Sequence, residues 1–149
     1  MLQRAGLALA AVVGLTAAPG LVPLAAQDVP YRVVVHVSNP VSRLTREQVS
    51  QIFLRKVALW DNRQPVLPVD QPPDSPVRRA FTKQVHRRTV ALVRTYWQQQ
   101  TFAGRAVPPP ERGSDARVLA YIRQYPNAIG YVHADTDLGT DIKVVIVTP

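Results

Sequence analysis

The chain has 149 residues, 46% of them hydrophobic and 19% charged, which suits one domain with a single core and is short for two. Eighteen Lys and Arg, fifteen of them Arg, outweigh ten Asp and Glu, so the formal charge is +8 and the pI is near 10.6, a balance suited to anionic partners. The absence of cysteine excludes disulfide frameworks, zinc ribbons, iron–sulfur clusters and thiol nucleophiles, and fourteen prolines argue against a long helical bundle.

Residues 1–26 read as a secretory signal peptide. Arg4 supplies a positive start, residues 5–16 are uncharged and rich in Ala, Leu and Val, and Pro19, Gly20 and Pro23 interrupt the run before Leu24-Ala25-Ala26. The uncharged stretch to Ala26 has the length of about 20 residues that an uncleaved anchor needs, which is the alternative, but helix breakers and small residues sit where a stop-transfer segment would stay apolar. Cleavage after Ala26 predicts a single α/β domain of residues 27–149, periplasmic or secreted, with no stable membrane span after cleavage; losing Arg4 lowers the net charge from +8 to +7. Export also removes nucleic acid from the expected partners, since neither an RNA-binding aromatic signature nor zinc-finger spacing is present. Small oxyanions, lipid head groups or acidic protein surfaces take its place.

Residues 31–37, Tyr-Arg-Val-Val-Val-His-Val, form a β-branched run expected as a buried strand, ended by Ser38-Asn39-Pro40. Thr45 is a predicted N-cap, with Gln48 completing a capping box and Leu44 placed to staple against Val49; Val49, Ile52 and Phe53 then repeat at helical spacing. Trp60 precedes a turn at Asp61-Asn62-Arg63, and residues 66–70 read as a second strand in which Pro68 marks an edge or a boundary. The loop of residues 71–76 leads into a helix capped by Ser75 with Pro76 at its first position, carrying Val77, Ala80, Phe81 and Val85.

Thr89 caps a further helix through about Gln100, whose Val90, Val93, Tyr96 and Trp97 form one stripe; Trp97 is expected in the core, with this helix against the sheet. Residues 107–110, Val-Pro-Pro-Pro, make a stiff extended connector. Ser114 caps a helix with Val118, Tyr121, Ile122 and Tyr125, and residues 128–132 and 143–147 are the third and fourth predicted strands. Strands alternating with helices predict a single three-layer α/β domain with a mixed, mostly parallel sheet.

No catalytic signature stands out. His36, His86 and His133 lack metal-binding spacing and read as surface or satisfied core histidines, while Asp135, Asp137 and Asp141 near Gly139 read as a polar loop rather than a calcium site. Nucleophile-elbow, phosphate-loop and dinucleotide patterns are absent, so neither catalysis nor a cofactor or metal is expected. What rises above this background is basic charge at helix starts. Arg78 and Arg79 lie in the opening turns after Ser75, and Arg79, Lys83 and Arg87 continue at four-residue spacing beside Arg88.

Ile52-Phe53-Leu54-Arg55-Lys56, Trp60, Pro65-Val66-Leu67-Pro68-Val69, Ser75, Arg79-Ala80-Phe81 and Ala128-Ile129-Gly130-Tyr131-Val132 occur in an order that resembles the phosphate-binding proteins of ABC transporters. The resemblance runs over most of residues 33–132 and is to the second lobe of the two-lobed type II solute-binding fold. It implies a periplasmic-binding-protein-like lobe and an anion ligand. The loop departs from the family pattern of an arginine followed by Gly-Ser-Gly-Thr: Gln71 stands at the arginine position, Val77 at the threonine position, Pro76 deletes an amide donor and Asp74 adds negative charge, with Ser75 retained. Arg55 replaces the family's glycine in the Ile-Phe segment.

Two functions follow from the resemblance and its departures. One is an exported solute-binding-like module holding phosphate or another small oxyanion weakly at Ser38, Asn39, Gln71, Ser75 and Arg78, in loops after the first two strands, where α/β sheets hold ligands. The other is an envelope interaction module that keeps the lobe fold and docks a protein partner on the Arg79, Lys83, Arg87 stripe; a homo-oligomer is the further expected partner, its second copy supplying the wall that a single lobe lacks.

Overall fold

A computed structural model describes residues 30–149; the predicted signal peptide and its junction at Gln27 and Asp28 lie outside the described residues. In chain order the elements are β1 (Tyr31–His36), β2 (Arg43–Thr45), α1 (Arg46–Phe53), β3 (Leu67–Pro68), α2 (Pro76–Phe81), a π-helical turn (Thr82–His86), α3 (Val90–Phe102), α4 (Asp115–Gln124), β4 (Ala128–His133), β5 (Ile142–Val144) and β6 (Ile146–Thr148).

Alternation along β1 explains the layers. Successive strand residues face opposite sides, so Val33 and Val35 join Ile129 and Tyr131 under α1, α2 and the π-helical turn, where Val49, Ile52, Phe53, Phe81 and Val85 close one core. Val34 points the other way, with Ala128 and Val132, onto Val118, Leu119 and Ile122 of α4. The sheet is thus buried on both faces, which is why β1 reads as an unbroken apolar run. Gly130 lets α4 approach: a Cβ there would lie 2.7 Å from Val118 Cγ1 and 2.9 Å from Val69 Cγ1.

The predicted caps form as expected. Thr45 and Gln48 close a capping box on α1, Ser75 caps α2 with Pro76 in its first turn, and Thr89 and Ser114 accept the N–H groups of Leu92 and Arg117. Leu44 and Val49 share one core cluster, as a staple requires.

The sheet is mixed, but the expectation that it is mostly parallel is corrected. The order is β3-β4-β1-β5, and β1 runs antiparallel to both β4 and β5; only β3 pairs parallel, with β4. Pro68 sits in the edge strand, between Leu67 and Val69, whose N–H groups reach Asn127 and Ile129 of the β4 side at 3.3 and 2.9 Å; the donor it lacks belongs to the outward position. The second predicted strand shortens to two residues. The fourth breaks at buried Val145, where the chain leaves β1 and, as β6, pairs parallel with β2, an element absent from the sequence prediction.

α3 also departs from expectation. Trp97 is buried, at 5% exposure, but with Val93 against Leu54 in a satellite cluster rather than against the sheet.

Candidate functional site

The loop between β3 and α2, with the helix that follows, brings together three of the six buried polar residues among the described residues, Asp70, Gln71 and Arg78. Asp70 closes the edge strand, and the proline connector runs alongside it: Asp70 N–H donates to Pro110 O at 2.9 Å, Arg112 N–H donates to Asp70 O at 2.9 Å, and Asp70 and Glu111 form a parallel bridge. A stiff extended segment is thereby laid beside the sheet edge, and Glu111 is carried to α2. Ser75 Oγ accepts the Arg78 N–H at 3.2 Å, starting the helix that swings Arg78 back beneath the loop.

Arg78 is 3% exposed. Its Nη2 lies 3.2 Å from Asp70 Oδ2, its Nη1 2.6 Å from Glu111 Oε1, and Nη1 also donates to the Gln71 carbonyl. Gln71 is equally enclosed. Its Nε2 donates to Asp115 Oδ1 at 2.9 Å and to the Tyr131 carbonyl at 3.0 Å, and its Oε1 accepts from Ser75 Oγ at 2.7 Å, so three of the amide's four hydrogen-bonding positions are filled. Asp115, in the first turn of α4, also accepts the His133 N–H and the Thr136 hydroxyl, tying the helix start to the end of β4.

Burial raises the Asp70 carboxyl above the usual carboxylate range, against the opposing pull of Arg78, of the Tyr131 hydroxyl that donates to it and of the Gln71 N–H; Glu111 pushes it further up. Tyr131 is raised well above an ordinary phenol, first by burial and then by the Asp70 charge. The aromatic wall behind this network is Tyr131 stacked on Phe81 at 3.9 Å between centroids. Arg78 Nε has no hydrogen-bond partner among the described residues.

Gln71, Ser75 and Arg78 are therefore brought together, and Ser38 and Asn39 are not with them. β3 runs parallel to β4 while β1 runs antiparallel, so the loops following β1 and β3 leave opposite ends of the sheet, about 17 Å apart for a strand of this length. Ser38 there bonds the His36 ring at 2.7 Å, and Asn39 Oδ1 accepts the Val41 N–H while its carbonyl takes Lys143 Nζ. One pocket cannot use both loops. The correction has the same origin as that of the sheet: strand direction.

Sequence reasoning missed Asp70, Glu111, Asp115 and Tyr131 as members of the network. Asp74, expected to place negative charge at the anion position, is exposed, and its carbonyl accepts Arg79; the carboxylates at Arg78 are Asp70 and Glu111. No signal in the spacing of Asp70, Glu111 and Asp115 links them. The expected polar loop is held by separate partners, with Asp137 accepting the Gly139 N–H and Asp141 paired to Arg123, which lowers its carboxyl. His86 packs edge-on to Phe81, its Nδ1 2.9 Å from Ser50 Oγ, and burial, then Arg88 and Arg78, lower its pKa to about 4. No cluster of potential metal ligands occurs among the described residues.

No protein-family model and no curated protein matches the chain in sequence. Solved structures do match in fold. An ABC-type phosphate transport receptor from Vibrio cholerae superposes with TM-score 0.60 at 19% identity over 79% of this chain and 46% of that one. A substrate-binding protein assigned to phosphate ABC transport, with bound phosphate, from Clostridium perfringens gives 0.61 at 22% identity over 81% and 47%. PstS from Borrelia burgdorferi gives 0.56 at 12% over 79% and 47%. At these identities the likeness is one of fold, and the chain spans under half the length of each neighbour.

Proposed function

We propose that the chain acts at the cell envelope as a docking module built on one solute-binding lobe, with phosphate or another oxyanion held only weakly. The observation that carries the reading is the state of Arg78, whose guanidinium lies between Asp70 and Glu111. An incoming anion would have to displace two carboxylates and would meet their charge, and it would find no amide donor at Pro76. Sites that hold small ligands tightly also bury about 70–90% of the ligand surface. The described residues around Arg78 supply one wall of such a site.

Weak oxyanion binding is the second reading, favoured by the formal charge of +8 and by the phosphate in the Clostridium perfringens neighbour. Calorimetry with inorganic phosphate, run beside light scattering on residues 27–149, tests the docking reading. Affinity no better than about millimolar for the monomer is expected, and micromolar binding by a strict monomer would reject the docking reading. Export rests on the pattern of residues 1–26, and intact mass of the envelope form should place its first residue at Gln27; a retained Met1 would indicate an anchor instead.

A further inference from the structure

A one-sided concentration of positive charge lies where α2 passes through the π-helical turn into α3. A groove of about 770 Å³ opens there, lined by Arg79, Lys83, Arg87 and Arg88 and floored by the first turn of α3. A second groove of about 520 Å³ shares Lys83 and Arg87 with it and adds Arg46. No Asp or Glu lines either groove among the described residues. Arg46, Arg87 and Arg88 form no salt bridge with a described residue, and Arg79 donates to the carbonyl of Asp74 rather than to a carboxylate.

The floor is apolar. Val90 and Leu92 belong to it, and Leu92 is 56% exposed. The geometry follows from the backbone: Arg87 adopts a left-handed conformation, φ 53, at the end of the π-helical turn, so the chain reverses there before Thr89 starts α3. Two basic segments and one apolar helix start are thereby brought around one concavity.

We infer that this groove docks an acidic polypeptide segment carrying apolar side chains, its carboxylates meeting the arginines and an apolar residue covering Leu92. Charge complementarity selects the sign of the partner. Leu92, exposed between the basic side chains, suits an extended chain or helix that carries both carboxylates and apolar side chains. The inference rests on the docking reading above and names the class of partner.

The test uses residues 27–149 and fluorescence anisotropy with a labelled peptide of Glu and Leu, a Glu-only peptide of equal charge, and vesicles of phosphatidylglycerol with phosphatidylcholine. Arg79→Glu with Arg88→Glu should weaken the Glu–Leu peptide about tenfold or more, whereas the charge-matched Arg105→Glu with Arg117→Glu should change it less than about threefold. All four positions are exposed, and Arg105 and Arg117 lie beyond the far end of α3 and on α4. Leu92→Ser should weaken the Glu–Leu peptide and leave the Glu-only peptide unchanged.

Equal loss in the two double variants, indifference to Leu92→Ser, or vesicle binding through Arg79 and Arg88 without peptide binding would overturn the inference. Peptide failure with phosphate affinity still no better than millimolar would remove the groove and leave the docking reading intact. Micromolar phosphate binding by the monomer would remove that reading whatever the peptide does.

Discussion

Arg78 in α2 and Asp70 at the end of β3 meet as a buried ion pair, Nη2 to Oδ2 at 3.2 Å, with 4% and 11% of the two side chains exposed. They lie eight positions apart in sequence, joined by the loop that follows β3. The pair gives that loop an internal counter-charge.

Removing one member of a buried pair leaves an uncompensated charge, so Arg78→Met should cost about 3–5 kcal/mol in urea unfolding, while Asp70→Leu combined with Arg78→Met should cost clearly less than the two single changes summed. Additive losses would show that the two groups do not stabilise each other. The pH dependence has a defined sign. Because the folded Asp70 carboxyl is raised above 3.8, its contribution favours the fold below that value and is lost as pH rises through the folded pKa. Asp70→Asn should abolish that part of the profile.

His86 titrates in the opposite sense. Its folded pKa of about 4 lies below the ordinary 6.5, so the unfolded chain takes up a proton first as pH falls. Stability should be full above 6.5 and decline as pH drops toward 4. His86→Gln should flatten the decline across that window, and the His86 ring resonances should stay in the neutral form at pH 5.5 to 6 while those of a free imidazole would move.

Gly130→Ala should destabilise by about 1–3 kcal/mol through overpacking, because the new methyl meets side chains of both α4 and the edge strand. Combining it with Val118→Ala, which removes the nearest methyl at 2.7 Å, should recover part of the loss in thermal unfolding. No recovery would mean that backbone strain rather than contact sets the cost.

Trp97→Ala should cost about 3–5 kcal/mol, the ordinary loss for a buried aromatic. As Trp97 packs with Val93 on Leu54 and not on the sheet, proteolysis of the variant should cut first around α3 while the sheet core stays protected in hydrogen exchange. An unchanged thermal midpoint would contradict the burial of this side chain.

Local chemistry made much of the fold legible. Thr45, Ser75, Thr89 and Ser114 cap helices because a side-chain oxygen reaches an amide two or three residues on, within one turn. Pro68 announced an edge because it lacks a donor, and the alternation of Val33, Val34 and Val35 carried burial on both faces. Gln71, Ser75 and Arg78 lie within eight residues, and their proximity was legible for the same reason.

Strand direction was not. An apolar run records how deeply a strand is buried and not which way it runs, so β1 could be read as parallel and Ser38 and Asn39 assigned to the same end as Gln71. Glu111, Asp115 and Tyr131 reach the site from 33 to 61 positions away in its contacts, along the connector, α4 and β4. Spacing along a chain carries no trace of such meetings. They are decided by which strands pair and in which direction, and that choice depends on closing both faces of the sheet at once, a property of the packed molecule and of no single segment.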